Sequence, residues 1–113
     1  MRMTPNKAIE IVDSLKPNTY TEEDKLRWLN ELDGMVQRLV HQESMVKEYV
    51  YPDDMDKKLL IPAPFDDCYT LFLEAKIDYY NREYDNYNNS AMMFEAQFSE
   101  YKKAYIRENP VKG

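Results

Sequence analysis

Apolar residues recur at helical spacing along four stretches of the chain, separated by polar, proline-rich or asparagine-rich segments. Thr4-Pro5 opens the first stretch, a hydroxyl cap followed by proline at the first helical position. Ala8, Ile9, Val12 and Leu15 then form a short apolar face that Lys16-Pro17-Asn18 ends, predicting a helix over residues 5–15. A helix this short does not persist alone and must dock on something. Thr21, followed by Glu22, Glu23 and Asp24, caps and charges the start of a second helix. Its core stripe is Leu29, Leu32, Val36, Leu39 and Val40, with Leu26 beside it, and it ends near His41 to Ser44. Gly34 in its middle costs about 1 kcal/mol relative to alanine. That cost is tolerated where another backbone packs close or where the helix kinks. Trp28 lies off the centre of the stripe, where it either seals the core edge or faces a partner.

Residues 45–61 hold no long period. VKEYVY alternates weakly, YPDDMDKK reads as a turn and KLLI as an opposing strand, so a short hairpin, an extended arm and an ordered loop all fit. Long irregular segments in small domains tend to carry function, which makes this one a candidate contact arm. Pro62 and Pro64 exclude a helix through Ile61 and Ala63. Asp66 and Asp67 then place carboxylates at a new helix start. From there Tyr69, Leu73, Ile77, Tyr80, Tyr84 and Tyr87 predict one face of a helix held for about five turns. The face passes from aliphatic to tyrosine, and a tyrosine hydroxyl needs a partner when its ring is buried. The stripe therefore suits a boundary that is half core and half contact surface. Tyr87-Asn88-Asn89-Ser90 changes direction, with Asn89 or Ser90 as the next cap. Met93, Phe94, Gln97, Phe98, Tyr101 and Tyr105 place the last helix over about 91–107, Met92 and Met93 reading as core filler. Asn109-Pro110 stops it, and residues 109–113 read as a frayed tail. The expectation is a single all-α domain of four helices. Helices three and four form a C-terminal antiparallel hairpin, the first two pack across it, and an irregular arm or hairpin joins helices two and three.

Composition narrows the function. With 113 residues the chain makes one domain with a modest core, and its 43% hydrophobic content with ten tyrosines argues against disorder. Two glycines, Gly34 and Gly113, leave no phosphate-cradling loop. A formal charge of −6 removes the phosphate-contact term that a nucleic-acid clamp needs. Lone Cys68 forms no intramolecular disulfide, which fits a reducing cytosol, and no apolar run approaches a membrane span.

Catalytic constellations are missing from the sequence. His41 is the single histidine; with Cys68 it could be forced into a base–nucleophile pair, but near a helix end it reads as a solvated or capping residue. Asp53-Asp54-Met55-Asp56 resembles part of a calcium loop but lacks its central glycine and its bidentate glutamate, so it reads as a solvated turn. No enzyme activity, cofactor or metal is expected. The candidate protein-contact residues are Trp28, Tyr49, Tyr51, Tyr79, Tyr84 and Tyr87.

The order of signals resembles a known family. Its marks here are the Trp28-Leu29-Asn30-Glu31-Leu32-Asp33 helix, the Pro62-x-Pro64-x-Asp66-Asp67 segment and the run IDYYNREYDNYNNS from Ile77 to Ser90. Together they resemble the all-α head–tail adaptors, or connectors, of tailed bacteriophages and of prophages in Gram-positive bacteria. The resemblance covers essentially the whole chain and implies a structural virion protein. Such a subunit assembles with copies of itself as a ring beneath the portal protein, extends the DNA channel, and offers a surface to the next connector or the tail protein. DNA passes without sequence-specific binding, no membrane is involved, and the location is the virion, or the host cytoplasm during assembly. Glu74, Asp78 and Asp85 are then candidate channel-facing acids: residues 66–85 carry six acids against two bases, which fits a channel wall and a solvated helix face equally. The alternative is a small prophage-encoded helical module or regulator that binds another protein through the same tyrosines and Trp28.

Overall fold

A computed structural model of the chain describes residues 2–110. Four α-helices follow in order: α1 Pro5–Leu15, α2 Glu22–Met35, α3 Asp67–Tyr80 and α4 Tyr84–Glu108, with no strand among the described residues. The two N-terminal starts follow their sequence signals. Thr4 accepts a hydrogen bond from the Lys7 N–H, and Thr21 and Asp24 close a reciprocal capping box. The fraying expected over 109–113 concerns, at 111–113, residues outside those described.

The hub is α3, against which α1, α2 and α4 all pack. Tyr69, Leu73 and Ile77 are fully buried, and Cys68, Thr70, Ala75 and Asp78 widen the covered face to most of the helix. Around it gather Ile9 and Val12 from α1, Leu26, Trp28, Leu29 and Leu32 from α2, and Phe94, Phe98 and Tyr101 from α4. Two partly buried ion pairs tie the end of α1 to its neighbours. Lys16 Nζ lies 2.7 Å from Asp78 of α3, and Lys25 of α2 lies 2.6 Å from Asp13.

Three features depart from the periodic reading. First, α2 continues past Met35 as one π-helical segment, Val36–Val40, before Gln42 turns the chain at φ 57°. The wider turn rotates the following residues backwards around the helix. Leu39, expected in the core stripe, is thereby 67% exposed, while Gln37 is buried in its place. Second, the five-turn tyrosine helix is two helices. The chain reverses at Asn81–Glu83, whereas the expected turn, Tyr87 to Ser90, lies inside α4. Arg82 adopts φ 60°, its N–H donates to Tyr79 O, and the Glu83 N–H donates to Asp78 O. This is a Schellman ending with arginine where glycine is usual. Third, Met92 and Met93 face solvent at 73% and 52% exposure instead of filling the core, because α4 directs Phe94, Phe98 and Tyr101 inward.

Gly34 does not answer to a close backbone contact. A Cβ built there meets Val46 Cγ1 at 3.7 Å, an ordinary van der Waals distance, and Gly34 has no positive φ. Gly34→Ala therefore raises the unfolding free energy by about 1 kcal/mol in urea denaturation. A loss of stability would place an unseen constraint at this position.

Candidate protein-contact surfaces

Residues 41–66 contain no regular structure, yet a row of polar side chains on one face of α2 holds them down. Asn30 and Gln37 each grip one residue of the extended segment by both backbone groups. Asn30 Nδ2 donates to Tyr49 O at 3.0 Å and its Oδ1 accepts the Tyr49 N–H at 2.7 Å; Gln37 does the same for Lys47 at 3.0 and 2.8 Å. Of the three forms the sequence allows for this segment, the structure has the ordered loop: VKEYVY and KLLI do not pair as strands, and the Lys47 and Tyr49 backbone pairs with helix side chains instead. Between these amides sits Asp33, 1% exposed. Its carboxylate accepts from Tyr49 OH at 2.5 Å, Tyr69 OH at 2.6 Å and the Leu60 N–H at 3.2 Å. Tyr69 OH in turn accepts the Ile61 N–H at 2.7 Å. One buried carboxyl thus joins α2, α3 and two points of the irregular segment, which also plugs Met55, Leu59 and Ile61 into the core. Burial pushes the Asp33 carboxyl above its ordinary value despite the three donors, and burial and the carboxylate together raise both tyrosines.

The side chains capable of chemistry are committed elsewhere. His41 Nε2 lies 2.8 Å from Tyr101 OH and its ring stacks on Tyr105 at 4.4 Å. Cys68 is fully buried, and burial, with Asp67 and Asp66 adding to it, pushes its thiol up to about 12. No hydrogen bond joins the two. In the acidic turn Asp54 accepts the Val50 N–H at 2.7 Å, which draws its carboxyl below the usual range, and Asp56 accepts from Asn6 Nδ2. No cluster of three metal-ligating side chains occurs among the described residues.

Tyrosines at the α3–α4 turn make the most developed exposed aromatic cluster and the leading candidate contact surface. Tyr79, Tyr80 and Tyr84 are 50%, 50% and 55% exposed, and Tyr87 is half-buried beside them. The Tyr79 ring meets Tyr80, Tyr84 and Tyr87 at centroid distances of 5.3, 6.5 and 5.4 Å. Tyr80 then stacks on Trp28 at 5.6 Å, nearly parallel, and Tyr20 packs edge-on to Trp28 at 5.4 Å. Trp28, a candidate contact residue in the sequence, is 2% exposed: it braces the surface from beneath and does not reach a partner. Tyr80, which the sequence placed on the stripe without a contact role, takes the exposed position above it. Beside the tyrosines runs a groove of about 550 Å³ lined by Met35, Phe72, Lys76, Tyr79, Tyr80 and Tyr87.

The other expected positions divide. Tyr51 is 41% exposed next to exposed Val50, but Tyr49 is half-buried with its hydroxyl committed to Asp33, so it fastens the loop and is not a free contact. The three acids share no exposed face. Asp78 is fully buried between Lys16 and the Ser90 hydroxyl, since its place on the last turn of α3 faces α1 and α4. Glu74 is half-buried, its carboxyl raised by burial; Asp85 alone is exposed.

Comparison with protein-family models, curated proteins and solved structures returns no match for the chain. No helix among the described residues is long and apolar enough to cross a membrane.

Two substitutions separate the halves of the Asp33 junction. Tyr69→Phe leaves both Asp33 and the buried Ile61 N–H short of a partner and costs about 2–4 kcal/mol. Tyr49→Phe removes one donor at a half-exposed site and costs roughly 1 kcal/mol. Equal losses in chemical denaturation would contradict the double role of Tyr69. The raised Asp33 carboxyl also sets a pH dependence. The folded chain binds this proton more tightly than the unfolded chain, so Asp33's contribution to stability is full below the unfolded pKa and is lost as pH rises through the folded one. The stability gap between wild type and Asp33→Asn is accordingly widest at acid pH and narrows as pH rises through that window. A gap that widens with pH would mean the carboxylate is favoured by its donors.

Proposed function

We propose that this chain is a structural head–tail connector subunit of a tailed phage or prophage, which docks on the portal and passes contact on to its neighbours and the tail. The sequence resemblance supplies the class. The observation that carries the docking part is the exposed tyrosine cluster at the α3–α4 turn, fixed on the core through Tyr80 and Trp28. Tyrosine supplies large contact area at a low entropic cost, and these rings already brace one another before any partner arrives. The all-helical body, with its histidine and cysteine held in packing contacts, fits a scaffold role.

The acids of α3 carry no part of this reading. With Asp78 buried and Glu74 half-covered, that helix offers no continuous acidic wall to passing DNA. Docking is also what the second reading, a small helical binding module, requires, and the partner distinguishes them.

Co-purification with the portal protein of the same genome, followed by imaging of end views, tests the connector. A ring of added density on the tail-facing end of the portal is expected. Tyr79→Ala with Tyr84→Ala, two exposed positions, should weaken that binding at least tenfold while leaving the helical circular dichroism unchanged. A folded chain that ignores the portal would overturn the connector in favour of the binding module.

A further inference from the structure

The charges of α4 are sorted along its length. From Tyr84 to Glu100 the helix carries Asp85, Glu95 and Glu100 and no base; from Tyr101 to Glu108 it carries Lys102, Lys103 and Arg107 against Glu108 alone. Asp85, Glu95, Glu100, Lys102, Lys103 and Arg107 are all exposed. Among them the single ion pair is Lys103 with Glu100, at 3.7 Å and about 60% exposed on both sides, where such a contact contributes little. Lys102 rests over the Phe98 ring at 5.2 Å, which directs its stem along the helix flank.

A mixed stripe, with Met92, Ala96 and Ile106 as its apolar members, runs along one face of the helix. Helical rotation places Asn89, Met92, Ala96, Ser99, Lys103 and Ile106 in one stripe opposite Phe94, Phe98 and Tyr101, with spacings alternating between three and four. Met92 and Ile106 are 73% and 60% exposed. Ala96 and Ser99 form a small-residue centre where a second helix can come close.

We propose that this face pairs with the same face of a second copy, the two α4 helices running antiparallel about a two-fold axis near Ala96 and Ser99. Antiparallel alignment is what the charge order selects, because a parallel copy would set acids against acids and bases against bases. About that centre Met92 meets the Lys103 stem of the second copy, and Ala96 meets Ser99. On one flank Glu95 faces Lys102 of the second copy, and the two-fold axis makes that pair twice. The tyrosine surface at the α3–α4 turn is not used, so this contact goes beyond the docking reading. An isologous pair closes on itself and cannot propagate into a ring, so it describes the free subunit.

Sedimentation equilibrium of the full chain across concentration tests it, with three variants at exposed positions. Wild type should show a monomer–dimer equilibrium that weakens as salt rises. Glu95→Lys and Lys102→Glu should each weaken dimerisation at least tenfold, and the double swap Glu95→Lys with Lys102→Glu should restore it to within a few-fold. Circular dichroism confirms that each variant is folded. A chain that stays monomeric at millimolar concentration overturns the proposal, as does a dimer indifferent to the single swaps or one the double swap fails to rescue. Portal binding is read separately through the Tyr79 and Tyr84 variants, so either idea can fail while the other stands.

Discussion

A long irregular segment can stay ordered only if its backbone groups and its few buried side chains find fixed partners. Here that constraint falls on one carboxylate. Asp33 sits in the last turn of α2 and accepts hydrogen bonds from Tyr49, Tyr69 and the Leu60 N–H. Without it, the buried Tyr69 hydroxyl would have no acceptor, at about 1–3 kcal/mol, and the partly covered Tyr49 hydroxyl and Leu60 N–H would lose theirs. Asn30 and Gln37 extend the same device along the helix face, so residues 41–66 are bound to the body at Lys47, Tyr49, Leu60 and Ile61. A buried carboxyl is a costly choice for this position, and its raised pKa records the cost. What it provides in return is a unique path for the segment, since an apolar side chain at 33 would specify none of those contacts.

Fixing that segment also fixes α3. Tyr69 lies at the start of the hub helix and is held at its hydroxyl by the junction; Leu73 and Ile77 continue the buried line, and Asp78 anchors the far end to Lys16. Beyond Asp78 the chain reverses at Arg82 and emerges as the tyrosine surface. Tyr80 and Trp28 connect that surface back to α2 by ring stacking. The two ends of α3 therefore do different work: one organises the loop, the other presents aromatic rings in a fixed arrangement that a partner can meet without ordering them first.

How much of this was legible in the sequence depended on whether the signal was local. Proline at 5, the Thr21 capping box and the Pro62-x-Pro64 break each act through their immediate neighbours, and the helices start where they indicate. The α3–α4 turn was misplaced because its reversal uses arginine in a left-handed conformation, where a reader looks for glycine or asparagine and finds asparagines only further on. Leu39 and Gln37 exchanged roles because a π-helical turn leaves no periodic trace. That tyrosines gather around the end of α3 was legible. Which rings face outward was not, since burial of Trp28 and exposure of Tyr80 depend on the reversal at Arg82. The polar residues Asn30, Asp33 and Gln37 did carry a readable sign: three polar side chains three and four apart on one helix face, beside a long unexplained loop.

Amide hydrogen exchange at single-residue resolution measures directly whether this loop is part of the folded body. Slow exchange is expected at the Lys47, Tyr49, Leu60 and Ile61 amides, approaching that of buried α2 amides, with fast exchange at Glu48 between the two clamped residues. Uniformly fast exchange across residues 43–60, beside a protected helical core, would show a free arm and contradict the account.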